Sequence, residues 1–164
     1  MKRIIYHWSG GSYCPNEIDR KHYHYMIDNN GGIFCGIYKV EDNENCLDGV
    51  YAAHTGGGNT GSIGIAFLGM FGFSSRLNTG RFPLTKIQCE MGFKLGALLA
   101  KKYNLNLKNP LSVQTHYGFG LRNPKTTSAG KIDITYLPPY LDIKKDEIEK
   151  FIRNKVIWYF KHLV

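Results

Sequence analysis

Residues 4 to 8 read Ile-Ile-Tyr-His-Trp, and Ser9-Gly10-Gly11 follows at once. On a strand, successive side chains point to opposite faces, so Ile5 and His7 share one face while Ile4, Tyr6 and Trp8 share the other. A run this apolar on both faces predicts a strand buried on both sides, which asks for a covered sheet. It also leaves one histidine to be explained, placed near the end of that strand just before the glycines break it.

The rest of the chain offers further strands and two long helices. His22 to Ile27 (HYHYMI) is aromatic and β-prone, Asp28-Asn29-Asn30-Gly31-Gly32 is a strong turn, and Ile33 to Val40 resumes the β pattern, which together predict a hairpin. Ser9 to Asp19 is turn-rich and Glu41 to Asp48 reads as a polar loop. Val50 to His54 reads as a short strand running into the stretch TGGGNTGS, and Ser62 to Phe71 as a central strand. Thr85 can cap a helix reaching about Tyr103, with Ile87, Met91, Leu95 and Leu98 or Leu99 on one face. Pro110 to Tyr117 reads as a strand ending at His116, and Gly118 to Gly130 as a long loop. Asp142 reads as the cap of a last helix packing through Ile148, Ile152, Val156 and Tyr159. No repeat, low-complexity tract or linker interrupts the 164 residues, a length typical of one domain. The expectation is a single domain over residues 1–164, α/β or α+β in class, with a central mixed β-sheet flanked by helices.

Composition narrows the partners. No apolar run approaches the ~20 residues that span a bilayer, so no membrane insertion is expected. Ile4 to Tyr6, after Lys2 and Arg3, is too short for a signal sequence, which predicts synthesis in the cytoplasm without a signal peptide. The net charge of +8, from 21 Lys and Arg against 13 Asp and Glu, favours polyanions of any kind. No helix-turn-helix, zinc-finger or ribonucleoprotein signature accompanies it, and no lysine follows the last glycine of TGGGNTGS as a P-loop requires. Nucleic acid is therefore not an expected partner. Cys14, Cys35, Cys46 and Cys89 form no CxxC pair and read as free thiols.

Chemistry concentrates at strand ends. His7, His54 and His116 each close a predicted strand, where loops display binding and catalytic groups. HExxH is absent, but a catalytic zinc needs only three ligands from His, Asp, Glu or Cys, with a fourth position open. His7 and His116 are candidates, with Asp133 as a third. Each histidine alone is equally a hydrogen-bonded structural residue, and Lys131-Ile132-Asp133 equally a solvated charge pair.

The order of segments carries more. IIYHWSGG, HYHYMIDNNGGIF, AAHTGGGNTGSIGIAFLG, QTHYGFG and SAGKID, together spanning residues 4 to 133, resemble the zinc-dependent N-acetylmuramoyl-L-alanine amidases. That family includes small phage lysozyme-type amidases and shares its fold with peptidoglycan recognition proteins. The resemblance implies Zn2+ held by His7, His116 and Asp133, with Tyr23 and Lys131 catalytic and His54 and Asn59 binding substrate beside the metal. It implies hydrolysis of the amide between N-acetylmuramic acid and L-alanine in bacterial peptidoglycan or muropeptides, as in a phage or prophage lysis enzyme that reaches the wall by a separate route. A monomer is expected. The alternatives are a cytoplasmic amidase recycling wall fragments and a non-catalytic peptidoglycan-binding module of the same fold, although such binders usually lose the third ligand. The short stretch between His7 and Tyr23 implies that a helix common there in the family is reduced or missing. Ile134-Thr135-Tyr136 stands where many members have a Pro-Gly-like continuation.

Overall fold

Strand β1 (Arg3–Trp8) forms as its pattern predicts, and every side chain from Ile4 to Trp8 is buried. The computed structural model describes residues 1–163. Four further strands join β1: β2 (Tyr25–Ile27), β3 (Ile33–Cys35), β4 (Ser62–Phe67) and β5 (Val113–Thr115). They form one sheet in the order β3-β2-β4-β1-β5, parallel throughout except for the β2–β3 hairpin. The fold is a single-domain α/β structure with a mixed five-stranded sheet flanked by helices.

One face of the sheet is apolar and helix-covered. Ile4, Tyr6 and Trp8 of β1 join Ile63, Ile65 and Phe67 of β4 in one core with residues of α2 (Lys86–Lys102) and α4 (Ile148–Lys161). Tyr6 donates to the Gly92 carbonyl of α2 (2.9 Å), the one polar bond its buried phenol needs. Glu90 fastens the two helices, accepting from Tyr159 (2.6 Å) and Tyr140 (2.5 Å) and pairing with Lys155 (2.6 Å). The opposite face is lined by Ile5 and His7 of β1 and by the small residues Ser62, Gly64 and Ala66 of β4, and loops cover it.

Several sequence expectations shift. Thr85 does cap α2, with its capping box to Gln88, and Leu95 and Leu99 are buried as predicted, but the buried stripe also runs through Cys89, Gly92, Phe93, Gly96 and Ala100, while Ile87 and Leu98 are exposed. The close contact needs small residues: a Cβ on Gly92 would sit 2.3 Å from the Phe67 ring. His22 ends a six-residue helix, α1 (Glu17–His22), instead of starting a strand; Asn16 and Asp19 close a capping box at its start. A six-residue helix thus stands between His7 and Tyr23. The loop of 41–48 holds two 3-10 turns, Val40–Glu44 and Cys46–Asp48.

Val50 to His54 is not a strand, because Asn43 satisfies Ala52 in place of a neighbour. The Asn43 amide oxygen accepts from Ala52 N (2.9 Å) and its NH2 donates to Ala52 O (3.0 Å). The predicted strand 110–117 is strand only at Val113–Thr115: a 3-10 turn at Pro110–Ser112 precedes it, and Thr115 caps a helix, α3 (His116–Arg122), that runs on into the predicted loop. Asp142 does not cap the last helix, which begins after a 3-10 turn at Lys145–Glu147; Ile148, Ile152 and Val156 are buried as predicted. All four cysteines are free thiols. Among the described residues no helix is long and apolar enough to cross a membrane.

Candidate metal centre

Parallel neighbours carry equivalent positions to the same height. Ile4 pairs with Val113 and Tyr6 with Thr115, so His7 reaches the level of His116 at the carboxyl ends of β1 and β5, where open α/β sheets place their sites. His116 begins α3, whose cap, Thr115, accepts from the Gly118 amide. The third group arrives from the loop after α3. The Asp133 carbonyl accepts from the Tyr117 amide (3.3 Å), tying that turn to the helix start. Its neighbour Ile134 is buried at φ +63°, a left-handed conformation that β-branched residues rarely adopt. The turn directs Asp133 to the site and Ile134 into the core.

The three side chains meet at one point. His7 Nδ1 and His116 Nδ1 are 3.1 Å apart, and Asp133 Oδ2 is 2.9 Å from each. With Asp133 ionised, no arrangement of protons on the two imidazoles satisfies this triangle. With hydrogen on both nitrogens, two donors face each other; with either one bare, its lone pair faces an anionic oxygen. A cation accepting all three lone pairs removes the conflict. Ligands bound at ~2.0–2.2 Å to a tetrahedral zinc lie about 3.3–3.6 Å apart, so the observed triangle needs only slight opening. Two imidazoles and one carboxylate also form a three-ligand set that leaves a fourth position free.

With both Nδ1 atoms turned to the centre, the Nε2 atoms carry the hydrogens. His116 Nε2 donates to Ser128 Oγ (3.0 Å), whose hydroxyl donates to the Gly56 carbonyl (2.8 Å). His7 Nε2 faces Thr55 Oγ1 (3.3 Å) and His54 Nδ1 (3.2 Å). Thr55 in turn donates to His54 Nδ1 (2.8 Å), and His54 Nε2 donates to the Ser62 carbonyl (3.4 Å). The His54 ring lies against Gly64, where a Cβ would come within 2.6 Å of it.

Burial sets the charges. It pulls the His7 imidazole down to about 4 despite its bond to Asp133, and His54 well below the ordinary histidine value. Burial alone would raise the Asp133 carboxyl, but the bonds from His116 and His7 outweigh it and hold the group well below the usual carboxylate range. A neutral His7 and an ionised Asp133 are the forms that ligate a metal.

A family model described as N-acetylmuramoyl-L-alanine amidase matches residues 1–131. The chain belongs to that amidase family. Its members are typically zinc-dependent, its activity is that of an N-acetylmuramoyl-L-alanine amidase, and peptidoglycan is the substrate this implies. The match stops at Lys131, two residues short of Asp133. No curated protein matches the chain.

A groove of about 570 Å³ opens above this centre. Tyr23, His54, Asn59, His116, Lys131 and Asp133 all line it; His7 is fully buried behind them. Tyr23 caps the end of α1, with its ring centre 5.2 Å from that of His7. Burial, aided by the Asp133 charge, pushes its phenol well above the ordinary value, so it stays a donor. Asn59 spends its amide oxygen on the Thr55 amide (2.7 Å), leaving its NH2 for the groove. His54 has both nitrogens engaged within the protein. Trp8, Tyr51 and His22 also line the groove. No sequence signal points to their place in the groove, nor to Thr55 and Ser128 behind the histidines: hydroxyl residues in Gly-rich loops have no periodicity.

Proposed function

We propose that residues 1–164 act as one zinc-dependent catalytic domain that hydrolyses the amide between N-acetylmuramic acid and L-alanine in bacterial peptidoglycan. The observation that supports this is the triangle of His7, His116 and Asp133, whose three facing atoms lie close enough to ligate one cation. In this reading those residues hold Zn2+, which when bound activates water at neutral pH and polarises the scissile carbonyl. Lys131 lies two residues from a ligand on the groove wall, and its ammonium stabilises the oxyanion as the carbonyl is attacked. Tyr23, kept protonated, donates a hydrogen bond to the attacking water or to that oxyanion. The Asn59 NH2 is placed for substrate, while His54 acts mainly by supporting His7.

The net charge of +8 favours intact, anionic wall over soluble fragments, in keeping with a phage or prophage lysis enzyme working as a monomer, without nucleic-acid or membrane partners. The test is mass spectrometry of products from isolated peptidoglycan. Free stem peptides starting with L-alanine and glycan strands with intact lactyl groups are expected, lost on chelation and restored by zinc. Undigested peptidoglycan in the presence of zinc would overturn the enzyme reading in favour of a binding module. Faster turnover of soluble muropeptides than of intact wall would overturn the lysis role alone.

A further inference from the structure

The stretch TGGGNTGS is not a P-loop, and its three glycines in a row have a different explanation. A Cβ on Gly56 would collide with Thr127 Oγ1, one on Gly57 would lie 2.4 Å from Thr126 Cγ2, and one on Gly58 2.4 Å from the Phe119 ring. The glycines let this loop press directly onto the Thr126-Thr127-Ser128 turn and onto α3. At the ends of that contact stand the two hydroxyls behind the metal centre. Thr55, before the glycines, faces His7 Nε2 (3.3 Å), and Ser128, in the opposing turn, links His116 Nε2 (3.0 Å) to the Gly56 carbonyl (2.8 Å). Both hydroxyls are buried. Asn59 closes the loop by accepting from the Thr55 amide (2.7 Å).

We propose that the Thr55–Asn59 loop and the Thr126–Ser128 turn form a clasp that fixes the metal-binding tautomer and ring orientation of both histidines, with Thr55 and Ser128 as its positioning residues. This inference rests on the zinc reading above. Each hydroxyl can accept a histidine Nε2–H while passing its own proton on, Thr55 to His54 and Ser128 to Gly56. That arrangement leaves both Nδ1 lone pairs aimed at the ion. Outer partners of metal-bound histidines of this kind are worth roughly 10- to 100-fold in metal affinity.

The experiment is competition for zinc between the purified protein and a chromophoric chelator, with thermal unfolding of the zinc-free protein alongside. Thr55→Val keeps the shape and removes the hydroxyl; Ser128→Ala does the same in the opposite arm. Each is expected to weaken zinc binding roughly 10- to 100-fold, with Thr55→Ser returning to within a few-fold of wild type. Should Ser128→Ala fail to fold, Thr55→Val with its serine rescue decides the matter. Wild-type affinity in folded Thr55→Val, or a loss that Thr55→Ser fails to restore, would overturn the clasp and leave the zinc site standing. A wild type that takes up no zinc would overturn both readings together.

Discussion

The two faces of one sheet solve opposite problems. On the helix-covered face, Tyr6, Phe67 and Phe93 pack in contact, with ring centres 5.8 to 6.3 Å apart, under α2 and α4. On the other, Ser62, Gly64 and Ala66 are kept small, so that His7, His24 and His54 fit beneath the loops. The first face gains stability from apolar area removed from water. The second buries groups that are costly without partners, and every one of these imidazoles has them. The comparison separates what holds the molecule together from what it does with a ligand, and substitutions on either face should report on different quantities.

The largest expected effect is on the polar face. His116→Ala removes a ligand, and zinc uptake and amidase turnover should both fall to background; turnover at even a tenth of wild type would dismiss the ligand role. Phe93→Ala makes the complementary change in the apolar face. It should cost about 3–5 kcal/mol of stability in a denaturant titration, while zinc affinity of the folded fraction stays within about twofold. A parallel loss of zinc would mean that the two faces are not independent. Lys131→Ala is smaller and cleaner: exposed on the groove wall, it should retain zinc and stability but lose about 10²–10³ in kcat. Wild-type turnover would remove Lys131 from the mechanism.

The apolar face was the more legible in sequence. The two-sided burial of β1 follows from five residues, and the core positions of α4 from their spacing. Where the reading slipped, a local partner had overruled the pattern. Asn43 replaced a strand neighbour for Ala52, Asn16 and Asp19 wound residues 17–22 into a helix, and small residues of α2 took the contact that Ile87 and Leu98 seemed to claim. Strand ends and motif order point to the three expected ligands, and the structure brings them within contact. What brings them there could not be read: the register that levels His7 with His116, the left-handed Ile134 beside Asp133, and the hydroxyls across the glycine loop are all long-range or conformational facts.

The smallest effect sharpens the comparison without touching a ligand. His24 is buried, accepting from the Gly64 amide at Nδ1 (2.9 Å) and donating from Nε2 to Asn43 Oδ1 (3.0 Å). Burial lowers it to about 4, from an ordinary value of 6.5, although its bond to Asn43 works the other way. Above pH 6.5 it is neutral in both folded and unfolded chains and adds no pH dependence. As pH falls below 6.5 the unfolded chain takes the proton first, so stability drops through the window from 6.5 to about 4. Between pH 7 and pH 5 this one residue should remove about 2 kcal/mol, and His7 and His54, also depressed by burial, act in the same direction. The apolar face carries no buried histidine, and its Glu90, which burial would raise but Lys155 and the two tyrosines hold below its ordinary value, contributes only at the acid end of that range. Denaturant unfolding of the zinc-free protein at pH 7, 6 and 5 measures the slope. A flat profile would mean that His24 takes up its proton in the folded protein as readily as in the unfolded chain, and that its bond from the Gly64 amide is not made in solution.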